Sequence, residues 1–322
     1  VVRTYDECND SWLNVKKTIN PDIVFFSNPH NLTRPEYYIH NWLDHLTCYV
    51  QYSFHITHLN EMQYNQEFHN LLWLAFYETS IHQTLARKYA INKAKNVVIS
   101  GYPGIDCFFD RSYKPNDCWK IKDRSVKRII WAPHHTIEGE GSLLDYSNFL
   151  KYYKFMIEVA QNFSGQIQIA CKPHPLLFNK LCVHPDWGTN ETDEYYCHWK
   201  SLINGQLNDS DYVDLFLTSD ALIHDCASFM TEYLCVNKPV LFTARNKEIV
   251  NRFNDFGKRS YGFNYHGFNE ADVVDFIQNV IRGIDPMMDA RQAFVKGFLT
   301  PPNEVSASEN IISSIESRLG CI

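Results

Sequence analysis

The fold is decided by residues 128–175, where the apolar run RIIWA (128–132) ends at Pro133 and the run QIQIAC (166–171) ends at KPHP. Short apolar runs that end at a proline are typical of buried strands. Residues 147–162, between the two runs, have the apolar spacing of an amphipathic helix. Strand, helix and strand in this order form a βαβ unit, which predicts a parallel sheet.

The same alternation extends from this unit in both directions. Toward the carboxyl terminus, strands are predicted at 220–224 and 239–242, and helices at 195–203, 228–236, 269–282 and 306–319. Toward the amino terminus, strands are predicted at 23–26, 47–52 and 97–99, and a long helix at 67–90. Ligands bind open parallel sheets beyond the carboxyl ends of the strands, so the residues after each strand are the candidates for a site.

A polar, irregular segment at 111–127 separates two such blocks and predicts a linker. The predicted fold class is therefore α/β, with two Rossmann-like domains and a cleft between them. We expect the first domain to span residues 1–115, the second 125–300, and a C-terminal helix to occupy 301–322. The first domain is short, as though its leading strands were missing. Because the sequence also begins without a start Met, we expect it to be part of a longer polypeptide.

The composition favours a globular protein that does not bind nucleic acid. The chain has 322 residues, of which 45% are hydrophobic, and a formal net charge of −7, whereas non-specific binding of a polyanion needs a basic surface. Its 10 Cys contain no CxxC pair, so they indicate reduced thiols and no zinc site. No apolar run reaches the ~20 residues of a membrane span. These features predict a cytoplasmic protein, with peripheral contact at the inner face of the cell membrane as a further hypothesis.

Four histidine-containing segments follow predicted strands, and their number exceeds what packing alone suggests. These segments are SFH at 53–55, APHHT at 132–136, KPHP at 172–175 and HDCAS at 224–228. A single histidine in a loop would be weak evidence, because such residues are more often solvated or structural than catalytic.

The KPHP segment is the most informative for a charged ligand. Its two prolines fix the backbone and hold Lys172 and His174 at the cleft. Cationic or donor groups in that position suit a diphosphate, which develops charge when its P–O bond breaks. The alternative is a structural turn with a surface lysine.

The segment after the strand at 220–224 predicts an anion site. Asp225 is followed by a helix, so the Ser228 hydroxyl and the free N–H groups of Phe229 and Met230 would point at the strand end. The alternative is that Asp225 or Ser228 is a plain helix N-cap. No ribose-binding glutamate stands out in the sequence, although Glu232, one turn further on, is placed where one could lie.

His134 and His135 follow the strand at 128–132 and are candidates for a second phosphate contact or a packed pair. A metal is disfavoured because the side chains of two adjacent histidines are expected to diverge, so we predict no metal and no cofactor. In the first domain, His55 follows a strand across the cleft. As a neutral imidazole it could accept the proton of an attacking hydroxyl. His58 is a second candidate for this base, and the alternative is that His55 is a solvated loop histidine without a catalytic role.

In order and spacing, these segments resemble the CDP-glycerol glycerophosphotransferases that polymerise teichoic acids, with their capsule-polymerase relatives. The resemblance runs from about residue 45 to residue 285. The segments that carry it are GYP at 101–103 with Asp106, WAP at 131–133, KPHP at 172–175, and SDALIHD at 219–225 leading into Ser228, Tyr233 and KPV at 238–240.

The resemblance implies a GT-B fold, with the acceptor in the first domain and the nucleotide donor in the second. It implies that His55 is the catalytic base, that His174 contacts the donor diphosphate, and that Ser228 binds phosphate. The implied reaction is attack of an acceptor hydroxyl on the β-phosphorus of a CDP-polyol, which releases CMP. Five residues differ from the family pattern. Ile56 stands after the base histidine, where the family usually has Gly, and His134, His135, Thr136 and His224 differ on the donor side, so glycerol, ribitol and other groups all stay open.

Two other functions compete with this hypothesis. A GT-B glycosyltransferase would use a similar cleft to transfer a sugar from a nucleotide-sugar. A non-catalytic polymer-binding module would not depend on His55 or His174. On the first hypothesis the partners are a CDP-polyol donor and a polymer or lipid-linked acceptor.

Overall fold

In the computed structural model, which describes residues 4–32, 34–137, 144–209 and 211–320, the strands form two parallel sheets and one antiparallel hairpin. The hairpin pairs β1 (Tyr5–Asp6) with β2 (Ser11–Trp12). The strands of the first sheet are β3 (Ile23–Phe26), β4 (Leu46–Val50), β5 (Leu74–Tyr77) and β6 (Val97–Ile99). The strands of the second sheet are β7 (Lys127–Ala132), β8 (Ile167–Cys171), β9 (Gly205–Leu207), β10 (Ala221–His224), β11 (Val240–Thr243) and β12 (Tyr265–Gly267).

Helices connect these strands and cover both sheets. The α-helical segments of the amino-terminal part are α1 (Val15–Thr18), α2 (Asn60–Tyr64), α3 (Glu67–Leu71), α4 (Ser80–Tyr89) and α5 (Asp106–Phe109). Those that follow are α6 (Phe149–Asn162), α7 (Leu177–Cys182), α8 (Thr189–Ser201), α9 (Val213–Thr218), α10 (Phe229–Glu232), α11 (Asp255–Tyr261), α12 (Glu270–Arg282), α13 (Met288–Phe294) and α14 (Ala307–Leu319). Short 3₁₀ segments lie at Pro35–Tyr37, Ile39–Trp42, Pro103–Ile105, Tyr233–Val236, Lys247–Arg252 and Pro302–Glu304, and a π-turn at Val295–Leu299.

The first sheet has the strand order β3-β4-β5-β6, and every neighbouring pair is parallel. The prediction of one long helix at 67–90 is wrong, because this region holds α3, β5 and α4. All four residues of β5 are buried: Ala75 and Tyr77 pack in one core, and Leu74 and Phe76 pack in another. A strand covered on both faces is a continuous apolar run and has no alternation to distinguish it from a helix.

The second sheet has the order β12-β11-β10-β7-β8-β9, again with every pair parallel. In this doubly wound arrangement the strand order reverses between β7 and β10, and the crevice outside their carboxyl ends is the expected binding site. The edge strands β9 and β12 were not predicted from the sequence. Each has three residues and contains a glycine, so neither has the apolar run of a central strand.

The two lobes, each built on one sheet, touch directly beside this crevice. Thr57 of the first lobe forms an antiparallel bridge with Phe253 of the second. The last helix, α14, returns to the first lobe, where Ile311 and Ile315 pack against β4 and β5. Asp106 accepts hydrogen bonds from the first backbone N–H groups of α14 and fixes its start.

Two composition-based expectations can be compared with the structure. The cysteines in the described ranges are free thiols, and Cys171 and Cys226 are buried in the cores. Among the helices of these ranges, none combines the length and the apolar character that crossing a bilayer requires.

Candidate active site

A cavity of about 530 Å³ lies between the two lobes at the carboxyl ends of both sheets. Both lobes contribute to its wall, which includes Tyr49 and Gln51 from the first lobe and Tyr146 and Tyr212 from the second. Eight of the nine predicted site residues line it, namely His55, His134, His135, Lys172, His174, Ser228, Phe229 and Glu232. The rival base His58 does not line the cavity, and its backbone N–H and ring are held at the Arg252 carbonyl.

Asp225, the ninth predicted residue, lies beneath the cavity instead of in its wall. Its carboxylate oxygens accept the backbone N–H groups of His134 and Asn148, each at 2.5 Å. The prediction that Asp225 contacts the donor is at odds with this geometry. Burial raises the pKa of Asp225 to about 7, although the two backbone hydrogen bonds oppose the rise. Asp225 therefore holds the 133–136 segment and the start of α6 in place.

Hydrogen bonds fix the ring tautomers of His134 and His174. His174 Nδ1 accepts the backbone N–H of Leu176 at 3.1 Å, so the proton of a neutral His174 ring is on Nε2. Thr136 Oγ1 accepts two backbone N–H groups, from Tyr146 and Ser147, and therefore donates its own proton to His134 Nδ1 at 3.0 Å. Both rings thus carry Nε2–H as a hydrogen-bond donor.

The imidazoles of His134, His135 and His174 form a cluster whose ligand nitrogens lie within 4.8 Å of one another. The expectation that the adjacent rings of His134 and His135 diverge is wrong, because their centroids are 4.3 Å apart. Three such nitrogens could together ligate a metal ion. A metal ion binds the lone pair of a ring nitrogen, however, and Nε2 of His134 and of His174 carries a proton instead. The hydrogen bonds therefore favour an anion site over a metal site.

Burial sets the charge of these groups. It lowers the pKa of His134 well below the ordinary value, and it lowers that of His174 to about 4, with nearby His135, Lys172 and Lys180 adding to the shift. The two rings are therefore neutral donors at pH 7. Burial also lowers the pKa of Lys172. An anion that enters the cavity replaces part of the lost solvation of this cation.

The predicted helix start at Ser228 is weaker than expected. The α-helical segment Phe229–Glu232 has only four residues before it tightens into a 3₁₀ turn. Met230 N–H is bound by the Cys226 carbonyl and is not free. A dipole built from so few peptide units is small, so the contribution of this segment rests on Ser228, which lines the cavity.

At the opposite wall, His55 contacts Glu78, a residue that was not assigned from the sequence. His55 Nδ1 lies 2.9 Å and 3.1 Å from the two carboxylate oxygens, and both residues are buried. Glu78 directly follows β5, so the strand-end rule would have found it if β5 had been predicted as a strand.

Comparison with known proteins gives consistent matches. The sequence model of the CDP-glycerol:poly(glycerophosphate) glycerophosphotransferase family matches residues 43–316. The teichoic acid ribitol-phosphate polymerase TarL of Staphylococcus aureus (strain NCTC 8325 / PS 47) is 25% identical over 209 residues, which are 62% of this chain and 31% of TarL. The chain thus spans about a third of the length of that relative.

Solved structures share the fold at lower sequence identity. S. aureus MnaA, solved with UDP, superposes with a TM-score of 0.57 and 18% identity over 96% of this chain and 77% of MnaA. The wall teichoic acid polymerase TagF, solved as a variant with CDPG, has a TM-score of 0.56 and 14% identity over 92% of this chain and 74% of TagF. The fold is therefore α/β and GT-B-like.

Proposed function

The chain belongs to the CDP-glycerol:poly(glycerophosphate) glycerophosphotransferase family, and from this premise we propose that it transfers a polyol phosphate from a CDP-polyol to the hydroxyl end of a cell-surface polymer. One observation carries the proposal: His55 of the first lobe faces the same cavity as Lys172 and His174 of the second. A base and an anion-binding group on opposite walls are what transfer between two bound substrates requires.

In the proposed reaction, the acceptor hydroxyl oxygen attacks the β-phosphorus of the donor. A new P–O bond forms there, the bond from that phosphorus to the bridging oxygen breaks, and CMP leaves with the bonding electron pair. The hydroxyl proton passes to Nε2 of His55. The products are CMP and a polymer longer by one polyol phosphate, so atoms and charge balance.

The donor diphosphate is proposed to bind at the carboxyl ends of β7, β8 and β10. Nε2–H of His174 and of His134 would donate to its oxygens, and Lys172 would supply the positive charge. Negative charge grows on the bridging oxygen as CMP leaves, and fixed donors stabilise that charge more than they stabilise the ground state. Ser228 adds a hydroxyl, His135 and Phe229 complete the wall, and Glu232 is the proposed ribose contact.

The acceptor is proposed to bind against the first lobe, residues 1–115, with the donor held by residues 125–300. The cavity wall on the first-lobe side combines apolar residues such as Phe54 and Met62 with polar residues such as Gln51 and Ser53. We propose that the protein acts in the cytoplasm on polymers or lipid-linked acceptors at the inner face of the membrane. The proposed polyol is glycerol or ribitol, since the family is one of glycerophosphotransferases and the relative TarL is a ribitol-phosphate polymerase.

A donor panel tests the proposal. The protein is incubated with an acceptor and, in separate reactions, with CDP-glycerol, CDP-ribitol, and UDP- and GDP-sugars, and the released nucleotide is measured. CMP release that requires the acceptor is the expected result. Turnover of a nucleotide-sugar alone, with UDP or GDP as product, would make the protein a glycosyltransferase.

Two substitutions separate catalysis from simple polymer binding. For the folded protein, His55→Ala and His174→Ala should each lower the rate of CMP release by about 10²-fold or more. The matched control is His198→Ala, which removes an exposed histidine of α8 and should leave the rate unchanged. Polymer binding that persists in all three variants, without turnover in the wild type, would indicate a binding module.

A further inference from the structure

A buried carboxylate lies directly behind the proposed base. Glu78 follows β5 at the carboxyl edge of the first sheet, and only 5% of its surface is exposed. Its Oε1 accepts the backbone N–H of His55 at 2.9 Å and lies 2.9 Å from Nδ1 of the same residue. One carboxylate thus contacts both the main chain and the ring of His55.

These contacts decide which ring nitrogen carries the proton. An ionised carboxylate only accepts hydrogen bonds, so Nδ1 of His55 must be the protonated nitrogen. The lone pair of the neutral ring is then on Nε2, the atom that must accept the hydroxyl proton. Without a partner at Nδ1, a neutral histidine in water prefers the opposite tautomer, with its proton on Nε2.

A second histidine, His82, also approaches Glu78, at 3.5 Å, but its own hydrogen bonds compete with that contact. His82 Nε2 lies 3.1 Å from the His55 carbonyl, which can only accept, so Nε2 is the protonated nitrogen of a neutral His82. Its Nδ1 then accepts the Thr79 hydroxyl at 2.9 Å. Burial lowers the pKa of His82 to about 4, so the ring is neutral at pH 7 and does not neutralise Glu78.

Glu78 is ionised although it is buried. Burial alone would raise its pKa, but the positive charge that His55 and His82 carry when they are protonated, together with the hydrogen bonds from His55, brings the pKa to about 2. A buried carboxylate is stabilised most when its neighbour is positive. The same side chain that orients neutral His55 therefore also stabilises the imidazolium that forms when His55 takes a proton.

The other groups that face His55 do not compete for this role. Among the described residues, the titratable groups around the ring besides Glu78 and His82 are Tyr49 on β4, Tyr64 on α2, His69 on α3 and Tyr77 on β5. Burial raises the pKa of each tyrosine and lowers that of His69 to about 3, so all four are neutral near pH 7. Tyr49 donates its hydroxyl proton to Gln51 and presents its oxygen 3.4 Å from His55 Nε2.

We infer that Glu78 is the positioning residue of this site: it holds His55 in the Nδ1–H tautomer with Nε2 toward the acceptor and stabilises the imidazolium after proton transfer. The effect that we expect Glu78 to have on turnover rests on the proposed function. Its structural content, the tautomer of His55, can be measured without turnover.

The first experiment observes the ring directly. Long-range ¹H–¹⁵N correlation spectra of protein with ¹⁵N-labelled histidine distinguish the two tautomers, and the His55 signals are those that disappear in His55→Ala. The wild type is expected to show His55 with its proton on Nδ1, and Glu78→Gln is expected to shift it toward the Nε2–H form. A wild-type His55 with its proton on Nε2 would overturn the inference, whether or not Glu78→Gln folds.

The second experiment measures the rate of CMP release against pH. Glu78→Gln should lower kcat by about 10²-fold or more and move the acidic limb of the profile to lower pH, because the imidazolium has lost its carboxylate partner. Glu78→Asp keeps a carboxylate and should recover part of the rate. In a His55→Ala background, Glu78→Gln should cause no additional loss, since both changes act on the same proton transfer.

The matched control is Glu309→Gln, which alters an exposed capping-box glutamate of α14 and should change neither the ring signals nor kcat. Two results together would overturn the inference and indicate a merely structural role. Glu78→Gln would lower the rate without moving the pH profile, and it would cause the same loss of rate in the His55→Ala background. If no CDP-polyol is turned over while the ring signals are as expected, the proposed function fails and the assignment of Glu78 to His55 stands.

Discussion

Asn254 of the second lobe donates a hydrogen bond from Nδ2 to the carbonyl oxygen of His55 in the first lobe, at 2.6 Å. Its backbone N–H binds the next carbonyl, that of Ile56, at 2.8 Å. Its side-chain oxygen accepts Gly257 N–H and caps the start of α11. One residue thus couples a helix start in the second lobe to the segment that carries the proposed base.

The first prediction separates these two roles of Asn254. Asn254→Asp keeps the cap of α11 but replaces the donor to His55 with a second acceptor, so kcat of the folded protein should fall by about 10- to 100-fold. Asn254→Ala removes both bonds and should in addition lower stability by about 1 kcal/mol. The measurements are CMP release and thermal unfolding.

Ser306→Ala provides the matched control for this pair. Ser306 caps α14 far along the chain, so its loss should have a similar cost in stability and leave kcat unchanged. Equal kcat for Asn254→Asp and the wild type would show that the bond to His55 is irrelevant to turnover.

The sequence predicted most of the second lobe because its central strands are apolar runs that end at conspicuous residues. β7 ends before Pro133, and β8 ends before the KPHP segment. Eight of the nine predicted residues line one cavity because parallel strands bring their carboxyl ends to one edge. The strands that were missed lack these signals: β9 and β12 are short edge strands, and β5 is buried on both faces.

The details of the site depended on tertiary contacts that a single sequence does not encode locally. Asp225 was expected to face the donor, yet it binds the backbone of His134 and Asn148, which lie 91 and 77 residues earlier in the chain. Glu78 was not predicted as a site residue because the region that holds β5 was wrongly predicted to be part of a helix. His134 and His135 were expected to diverge, but packing against His174 brings all three rings together.

The second prediction concerns which ring atom of His174 binds the donor. The side-chain nitrogen of Gln can take the position of Nε2, whereas that of Asn lies nearer the position of Nδ1. Because Nδ1 of His174 accepts the Leu176 N–H, we expect Nε2 to contact the phosphate. His174→Gln should retain more activity than His174→Asn, and both should remain below the wild type by about tenfold or more. Equal rates for the two variants would contradict this assignment.

A third prediction addresses the histidine cluster as a metal site. The protons on Nε2 of His134 and His174 disfavour ligation, so the purified protein should contain no stoichiometric zinc, nickel or copper. Dialysis against a chelator should leave the rate of CMP release unchanged. Elemental analysis checks the first expectation, and a metal content of one per chain that is lost in His134→Ala would contradict it.

The fourth prediction is the pH dependence of stability. Burial lowers the pKa of several histidines from 6.5 to about 3 or 4, namely His69, His82, His174 and His224. The unfolded chain therefore binds more protons than the folded chain between about pH 4 and 6.5, so this contribution to stability is present above pH 6.5 and is lost as pH falls. Burial raises the pKa of Asp225 and of Glu232 to about 7, so between about pH 4 and 7 these two groups bind more protons in the folded chain than in the unfolded chain. Their contribution to stability therefore falls as the pH rises.

Since the four imidazoles outnumber the two carboxyls, Tm should rise between about pH 4.5 and about pH 6.5. Glu232→Gln removes one group that takes up a proton on folding, so the rise should become steeper in this variant. Thermal unfolding at a series of pH values measures both effects. A Tm that falls over this interval would contradict the neutral state of the buried histidines.

The last prediction uses the close approach of α11 to the segment that follows His55. A Cβ on Gly257 would lie 2.5 Å from the carbonyl oxygen of Ile56, so Gly257→Ala must push the helix and that segment apart. Because Asn254 lies at the start of the same helix, the displacement should weaken its bond to His55 and lower kcat by about tenfold or more. Gly297→Ala is the matched control, since a Cβ there meets no atom within 4 Å, and it should leave kcat unchanged. Full activity in Gly257→Ala would mean that the tight contact between the lobes does not position the base, and the coupling through Asn254 would then have to be abandoned.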